Sequence, residues 1–259
     1  MTVRDSGRCA VWDDPAVLMG EAVWLTVAVV VCVGVASSAQ VLSGMGFALL
    51  AGPLLALALG TSDGVRLSVA LSIVLNVVVL AGSWRLVRWG DALRLLVPAA
   101  LLVLPAHLLS ARLGGMWTSV AAGVAVLVGV GLIASGRRAG WVDGPAGAVA
   151  AGAGSGVLNV LGGVSGPPVA LFVAHRGWEP KVSTATLQAY ALPLNVVTLA
   201  VLGLPAVQLG SLLGAGVGLV VGAACAWRFV ARISAATVRS LVLVLAAVGG
   251  VLLITRALT

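Results

Sequence analysis

Residues 158–171 read LNVLGGVSGPPVAL. Apolar residues flank two glycines and then Ser-Gly-Pro-Pro, inside a run otherwise apolar enough to cross a bilayer. Gly and Pro are the poorest helix formers, by about 1 and 3 kcal/mol relative to Ala. In hydrocarbon an unsatisfied backbone group costs several kcal/mol, so a broken helix persists only where protein or water covers the break. The stretch therefore predicts a helix that stops inside the membrane and another that starts there.

The rest of the chain places this break in a membrane protein. The 259 residues are 61% hydrophobic and 9% charged, with a mean hydropathy of +1.16; a soluble domain carries roughly 25% charged residues. Apolar runs of about 20 residues, enough to span a bilayer core, recur throughout. They are continuous instead of alternating with period two, which argues against a barrel. The net charge of +7 comes from arginines standing singly or in pairs at the ends of apolar runs. That is a topology signal, and no basic run with interleaved aromatics supports nucleic-acid binding. Cys9, Cys32 and Cys225 form no CxxC pair, so neither a disulfide framework nor a metal cluster is expected. Residues 1–20 contain Asp5, Asp13 and Asp14 and lack the basic start of a signal peptide. They read as a hydrophilic N-terminal tail.

Punctuation divides the chain into ten segments, near 21–40, 44–60, 64–83, 92–112, 116–135, 143–160, 165–176, 182–204, 207–228 and 235–256. The second and seventh are short and follow Gly-rich breaks, SGMG and GGVSG; they read as half-helices or returning arms of hairpins. Basic residues concentrate in four connections: Arg85, Arg88 and Arg94; Arg137 and Arg138; Arg176 and Lys181; Arg228, Arg232 and Arg239. The positive-inside rule places these in the cytoplasm and both termini outside. The two broken pairs then enter from opposite faces, as in an inverted repeat.

Self-similarity points the same way. VLSGMG at 41–46 aligns with VLGGVS at 160–165, an offset of 119 residues that also aligns NVVVLA (76–81) with NVVTLA (195–200) and Gln40 with Asn159. The fold expected is an all-α polytopic membrane protein of two inverted-topology repeats, 21–140 and 141–259. Each repeat holds a broken or re-entrant pair plus three transmembrane helices.

A half-helix that starts at mid-membrane offers unpaired N–H groups and the positive end of its dipole, an anion site built from backbone. In the second break Ser165 is placed as an N-cap and Gly166 permits close approach. Pro167 and Pro168 are tolerated in a first turn but remove two donors. Gly162 and Gly163 complete this break, and Ser43, Gly44, Met45 and Gly46 form its counterpart. Small residues of this kind also serve close helix packing. Gln40, Asn76, Asn159, Gln188 and Asn195 lie within apolar runs, where polar groups face the bundle interior and bond either a neighbouring helix or a ligand. Asp63, Asp91, Asp143 and Glu179 fall at segment ends, leaving no carboxylate near the midplane for a proton relay. His107 and His175 fall near segment ends and read as interfacial.

GMGFALLAGPLL (44–55) resembles the first glycine-rich signature of the sulfite exporter TauE/SafE family, bacterial membrane transporters. Gly44, Gly46 and Pro53 match its Gly-x-Gly-Gly-Gly-x4-Pro pattern, while Phe47 and Ala48 replace later glycines. GGVSGPPVALFVAHRG (162–177) resembles the second signature, followed by STATLQAY. The resemblance implies transport of small anions such as sulfite, organosulfonates or carboxylates across the bacterial cytoplasmic membrane.

The expected function is thus a secondary transporter of a small anion, working by alternating access around the two breaks. An anion channel built from the same broken helices is the alternative. A membrane-embedded enzyme is a third reading, for which HExxH, paired intramembrane Asp and adjacent Ser/His are all missing from the sequence. No catalytic residue, metal or cofactor is expected. The expected partners are the anion and the lipid bilayer, with no nucleic acid, and self-association into a homo-oligomer is left open.

Overall fold

Among the described residues, ten α-helices account for the ten apolar segments. They are α1 (Pro15–Ser43), α2 (Phe47–Leu59), α3 (Thr61–Ser83), α4 (Trp89–Ala111), α5 (Gly115–Ser135), α6 (Gly144–Gly162), α7 (Gly166–Arg176), α8 (Pro180–Leu202), α9 (Leu209–Phe229) and α10 (Ala235–Leu258). The computed structural model describes residues 15–43, 46–135, 144–229 and 235–259, and among these there is no β-strand. Gly44 and Met45, and the side chain of Ser43, lie outside the described residues. α1 begins at Pro15 and so takes in the last residues of the 1–20 stretch; proline's fixed φ suits the first helical position.

Seven of these helices (α1, α3, α4, α5, α8, α9 and α10) are long and apolar enough to cross a membrane. The chain is a multi-pass helical membrane protein. The 13 residues of α2 and 11 of α7 would cover about 20 and 17 Å at ~1.5 Å per residue, short of a ~30 Å hydrocarbon core. α6 is long enough but glycine-rich, reading GPAGAVAAGAGSGVLNVLG.

Those glycines have a packing reason. Without water to drive helices together, close van der Waals approach and interhelical hydrogen bonds hold a membrane bundle. A Cβ on Gly152 or Gly156 would collide with the backbone carbonyls of Leu95 and Ala99 on α4. On α9, Gly218 and Gly222 stand in the same relation to Val30 and Gly34 of α1. Ser37 and Ser38 of α1 then donate hydroxyl hydrogen bonds to the carbonyls of Leu219 (3.0 Å) and Gly222 (2.8 Å). α5 and α10 meet reciprocally, Gly123 against the Gly250 carbonyl and Gly250 against that of Gly123.

Among the described residues the buried side chains form two cores, each with one short helix at its heart. Around α2, Phe47, Leu50 and Leu55 pack with Val29 and Val33 of α1, Leu67 and Leu71 of α3, Val126 of α5, Ala215 and Leu219 of α9 and Ala246 of α10. Around α7, Val169 and Phe172 pack with Leu95 and Val103 of α4, Ala151 of α6 and Tyr190 and Leu194 of α8. The cores interleave the two sequence halves: α4 joins α6, α7 and α8, while α9 joins α1 and α2.

Candidate functional site

Each break ends one helix and starts the next with different chemistry. At the first, Gly46 has φ +137° and precedes α2. Its carbonyl accepts the first helical bond, from Leu50 N–H at 3.1 Å, and the N–H of Phe47 donates to Gln40 Oε1 at 3.1 Å. At the second, Gly163 takes φ +68°, which only glycine enters without strain. Its N–H donates to the Asn159 carbonyl at 2.9 Å and that of Val164 to Leu158 at 3.3 Å, closing the end of α6. The Ser165 carbonyl accepts from the Ser155 hydroxyl, which in turn accepts from the hydroxyl of Tyr190.

Ser165 therefore occupies the N-cap position, as its place in the sequence predicts, but its side chain makes no capping bond. Pro167 and Pro168 follow at the start of α7. A Cβ on Gly166 would meet nothing within 4 Å, because this helix start faces an internal cavity.

The cavity has a volume of about 750 Å³ and is lined from both breaks, by Gln40, Gly46 and Phe47 on one side and Ser165, Gly166 and Pro167 on the other. α3 contributes Ser72 and Asn76, and α8 contributes Gln188, Tyr190 and Asn195. Asn76 and Gln188 decide its chemistry. They are 6% and 5% exposed, and Asn76 Nδ2 and Gln188 Oε1 have no hydrogen-bond partner among the described residues. A buried polar atom without a partner costs about 1–3 kcal/mol, so these atoms call for a ligand or water.

The expected site residues divide accordingly. Gln40, Gly46, Asn76, Ser165, Gly166, Gln188 and Asn195 are brought together on the cavity wall. Asn159, Gly162 and Gly163 stand behind it. Asn159 Nδ2 donates to Asn195 Oδ1 (3.0 Å) and Thr198 Oγ1 (2.9 Å), so it orients a wall residue. The Gly162 carbonyl packs on Gly52 of α2, and Gly163 faces Ser68 of α3. The wall also includes Ser72, Tyr190, His175 and Arg239, which the sequence reading did not select as site residues. Ser72 lies one helical turn from Asn76 and was findable from that spacing; Tyr190, two residues after Gln188 on α8, was not, because positions two apart on a helix do not share a face.

One end of the cavity is marked by Ile133, Ala174, His175, Arg239 and Ser240, close to the end of α5, the end of α7 and the start of α10. Arg239 also donates to the Ile133 carbonyl at 2.7 Å. At the opposite ends of the helices, Thr61 and Ser119 share a 2.7 Å hydrogen bond. There Asp63 Oδ1 accepts from Ala206 N–H at 3.0 Å and Arg256 donates to the Leu57 carbonyl at 2.9 Å. None of these residues lines the cavity.

Helices that span, helices that stop short, and a largely apolar cavity with a few polar groups where the short ones start define a polytopic membrane protein with an internal chamber. The model of the sulfite exporter TauE/SafE family matches residues 28–253, most of the chain. The protein belongs to this family of sulfite/sulfonate-type membrane transporters. No curated protein and no solved structure matches it.

Proposed function

We propose that the protein is a secondary transporter that carries a small anion across the bacterial cytoplasmic membrane by alternating access. The substrate binds where the two breaks meet. The observation that carries this reading is the convergence of both half-helix starts on one cavity that also holds the unpartnered Asn76 amide. An anion there would accept from Gly166 N–H, the Ser165 hydroxyl and Asn76 Nδ2, with Asn195 held ready by Asn159. Hydrogen bonds to a charged group are worth about 1.5–3 kcal/mol each, and the helix dipole adds up to ~2 kcal/mol where partly buried.

The cavity's marked end lies at the end of α5, the end of α7 and the start of α10, where Arg176 and Arg239 belong to the basic groups that the positive-inside rule assigns to the cytoplasm. On that orientation the chain is inward-facing with both termini outside, and the Thr61, Asp63 and Arg256 contacts close the outer end. A chamber closed at one end fits a carrier better than an open pore. The exchange of α4 and α9 between cores supports the inverted repeat: the first helix of each half packs on the fourth helix of the other, and α5 meets its counterpart α10 reciprocally.

The test is flux in proteoliposomes, with sulfite, short sulfonates and short carboxylates offered in turn. Saturable, slow uptake of at least one is expected. No flux of any, or single-channel currents, would count against a carrier of small anions.

A further inference from the structure

Resting on that reading, we infer that the substrate is a small organic anion that also carries a hydrogen-bond donor, a hydroxyl or an amine, and that Gln188 recognises this donor. The cavity's unmet needs are of two kinds. Asn76 Nδ2 requires an acceptor, which any oxyanion supplies. Gln188 Oε1 requires a donor, and a fully ionised oxyanion has none; its oxygens would repel the amide carbonyl.

No hydroxyl of the described residues fills the gap, since none lies within hydrogen-bonding reach of Gln188 Oε1. Ser72 spends its hydrogen on the Ser68 carbonyl at 2.8 Å, and Tyr190 spends its own on Ser155. Asn76 and Gln188 both line the chamber, yet neither unpartnered atom is within hydrogen-bonding reach of the other. A ligand that accepts at one point and donates at another satisfies both.

Size and lining complete the description. The volume of about 750 Å³ falls within the ~300–1,000 Å³ of small-molecule cavities, far more than a bare triatomic or tetra-atomic oxyanion fills. Phe47, Leu75, Leu187 and Leu243 on the wall offer an apolar surface that a carbon skeleton covers and sulfite does not.

The experiment measures binding of matched pairs to the purified full-length protein by calorimetry. Propane-1-sulfonate is compared with 3-hydroxypropane-1-sulfonate, and propanoate with 2-hydroxypropanoate, with sulfite as the inorganic reference. A buried acceptor left unpaired costs enough that the hydroxylated member of at least one pair should bind about 10-fold more tightly. Gln188→Met should erase that preference by weakening the hydroxylated ligand alone. Gln188→Glu, which still accepts from a donor but repels an anion, should weaken both members while keeping their ratio. Equal binding within both pairs in the unmodified protein, a preference that survives Gln188→Met, or sulfite binding more tightly than every organic anion would each overturn the inference. Binding of none of the five would overturn the anion-transport reading on which it rests.

Discussion

The backbone N–H of Phe47 donates to the side-chain carbonyl of Gln40 across 3.1 Å, and Gly166, at the start of the other short helix, has no such cap. The two helix starts therefore differ in what they leave for a ligand. The first is already capped by the protein, while the second presents its backbone to the cavity.

Gln40→Ala should accordingly act on stability more than on binding. Loss of a cap costs about 0.5–2 kcal/mol, or about 2–4 °C of melting temperature per kcal/mol for a chain of this size. Scanning fluorimetry in detergent should show the drop, with anion affinity changed less than about 2-fold. A loss of affinity at unchanged melting temperature would make Gln40 a ligand contact instead.

Gly163 and Gly166 should part company when each is replaced by Val. Gly163 has positive φ, where a side chain costs roughly 1–2 kcal/mol and a β-branched one more, so Gly163→Val should lower the melting temperature. Gly166→Val projects into open space. It should leave folding intact while reducing anion affinity by about 10-fold or more. Identical effects at the two positions would contradict the assigned geometry.

Tyr190→Phe removes the hydroxyl that bonds Ser155, the residue that holds the Ser165 carbonyl. The expected cost is about 1–3 kcal/mol from the buried partner left behind, together with weaker binding at the second break. Replacing Ser155 with Ala as well should add little, because the two side chains act through one chain of hydrogen bonds. Full additivity in a double-mutant cycle would separate them.

Gly222→Val on α9 should destabilise by about 1–3 kcal/mol or more through overpacking, since its Cβ would strike Gly34 and Ser37. Gly216→Val, six residues earlier on the same helix and facing nothing within 4 Å, should stay within about 0.5 kcal/mol. Monodispersity and melting temperature of the two variants in detergent make the comparison.

Asp63→Ala removes the acceptor shared by Ala206 N–H and Arg66. This partly exposed contact contributes little to global stability, about 0–1 kcal/mol, so the effect should be conformational. With Cys9, Cys32 and Cys225 replaced by Ser, a cysteine at Ser72 should react faster with an impermeant thiol reagent added outside. Unchanged reactivity would mean that Asp63 does not hold the outer end closed.

The sequence made the ten segments legible because a bilayer imposes length and apolarity on each one. The breaks were legible through Gly and Pro, and the wall positions Asn76, Gln188 and Asn195 through the cost of polar groups in hydrocarbon. What it did not reveal was partnership. The small residues of α6 and α9 announce close approach, but a run of Gly, Ala and Val does not name the helix that will approach. For the same reason Asn159, Gly162 and Gly163 could not be told from wall residues. They sit beside Ser165 in sequence, and only the way α2, α3 and α8 pack against them turns them away from the cavity.

The interleaving of the two cores bears on how the chain is made. α1 emerges from the ribosome long before α9, its main packing partner, and α4 before α6. Both early helices must therefore wait in lipid with glycine-ready faces unmatched, and neither core can close until the second half has been inserted. A chain stopped after its first five helices would lack a complete core, so the two halves are similar in sequence but dependent on each other for assembly.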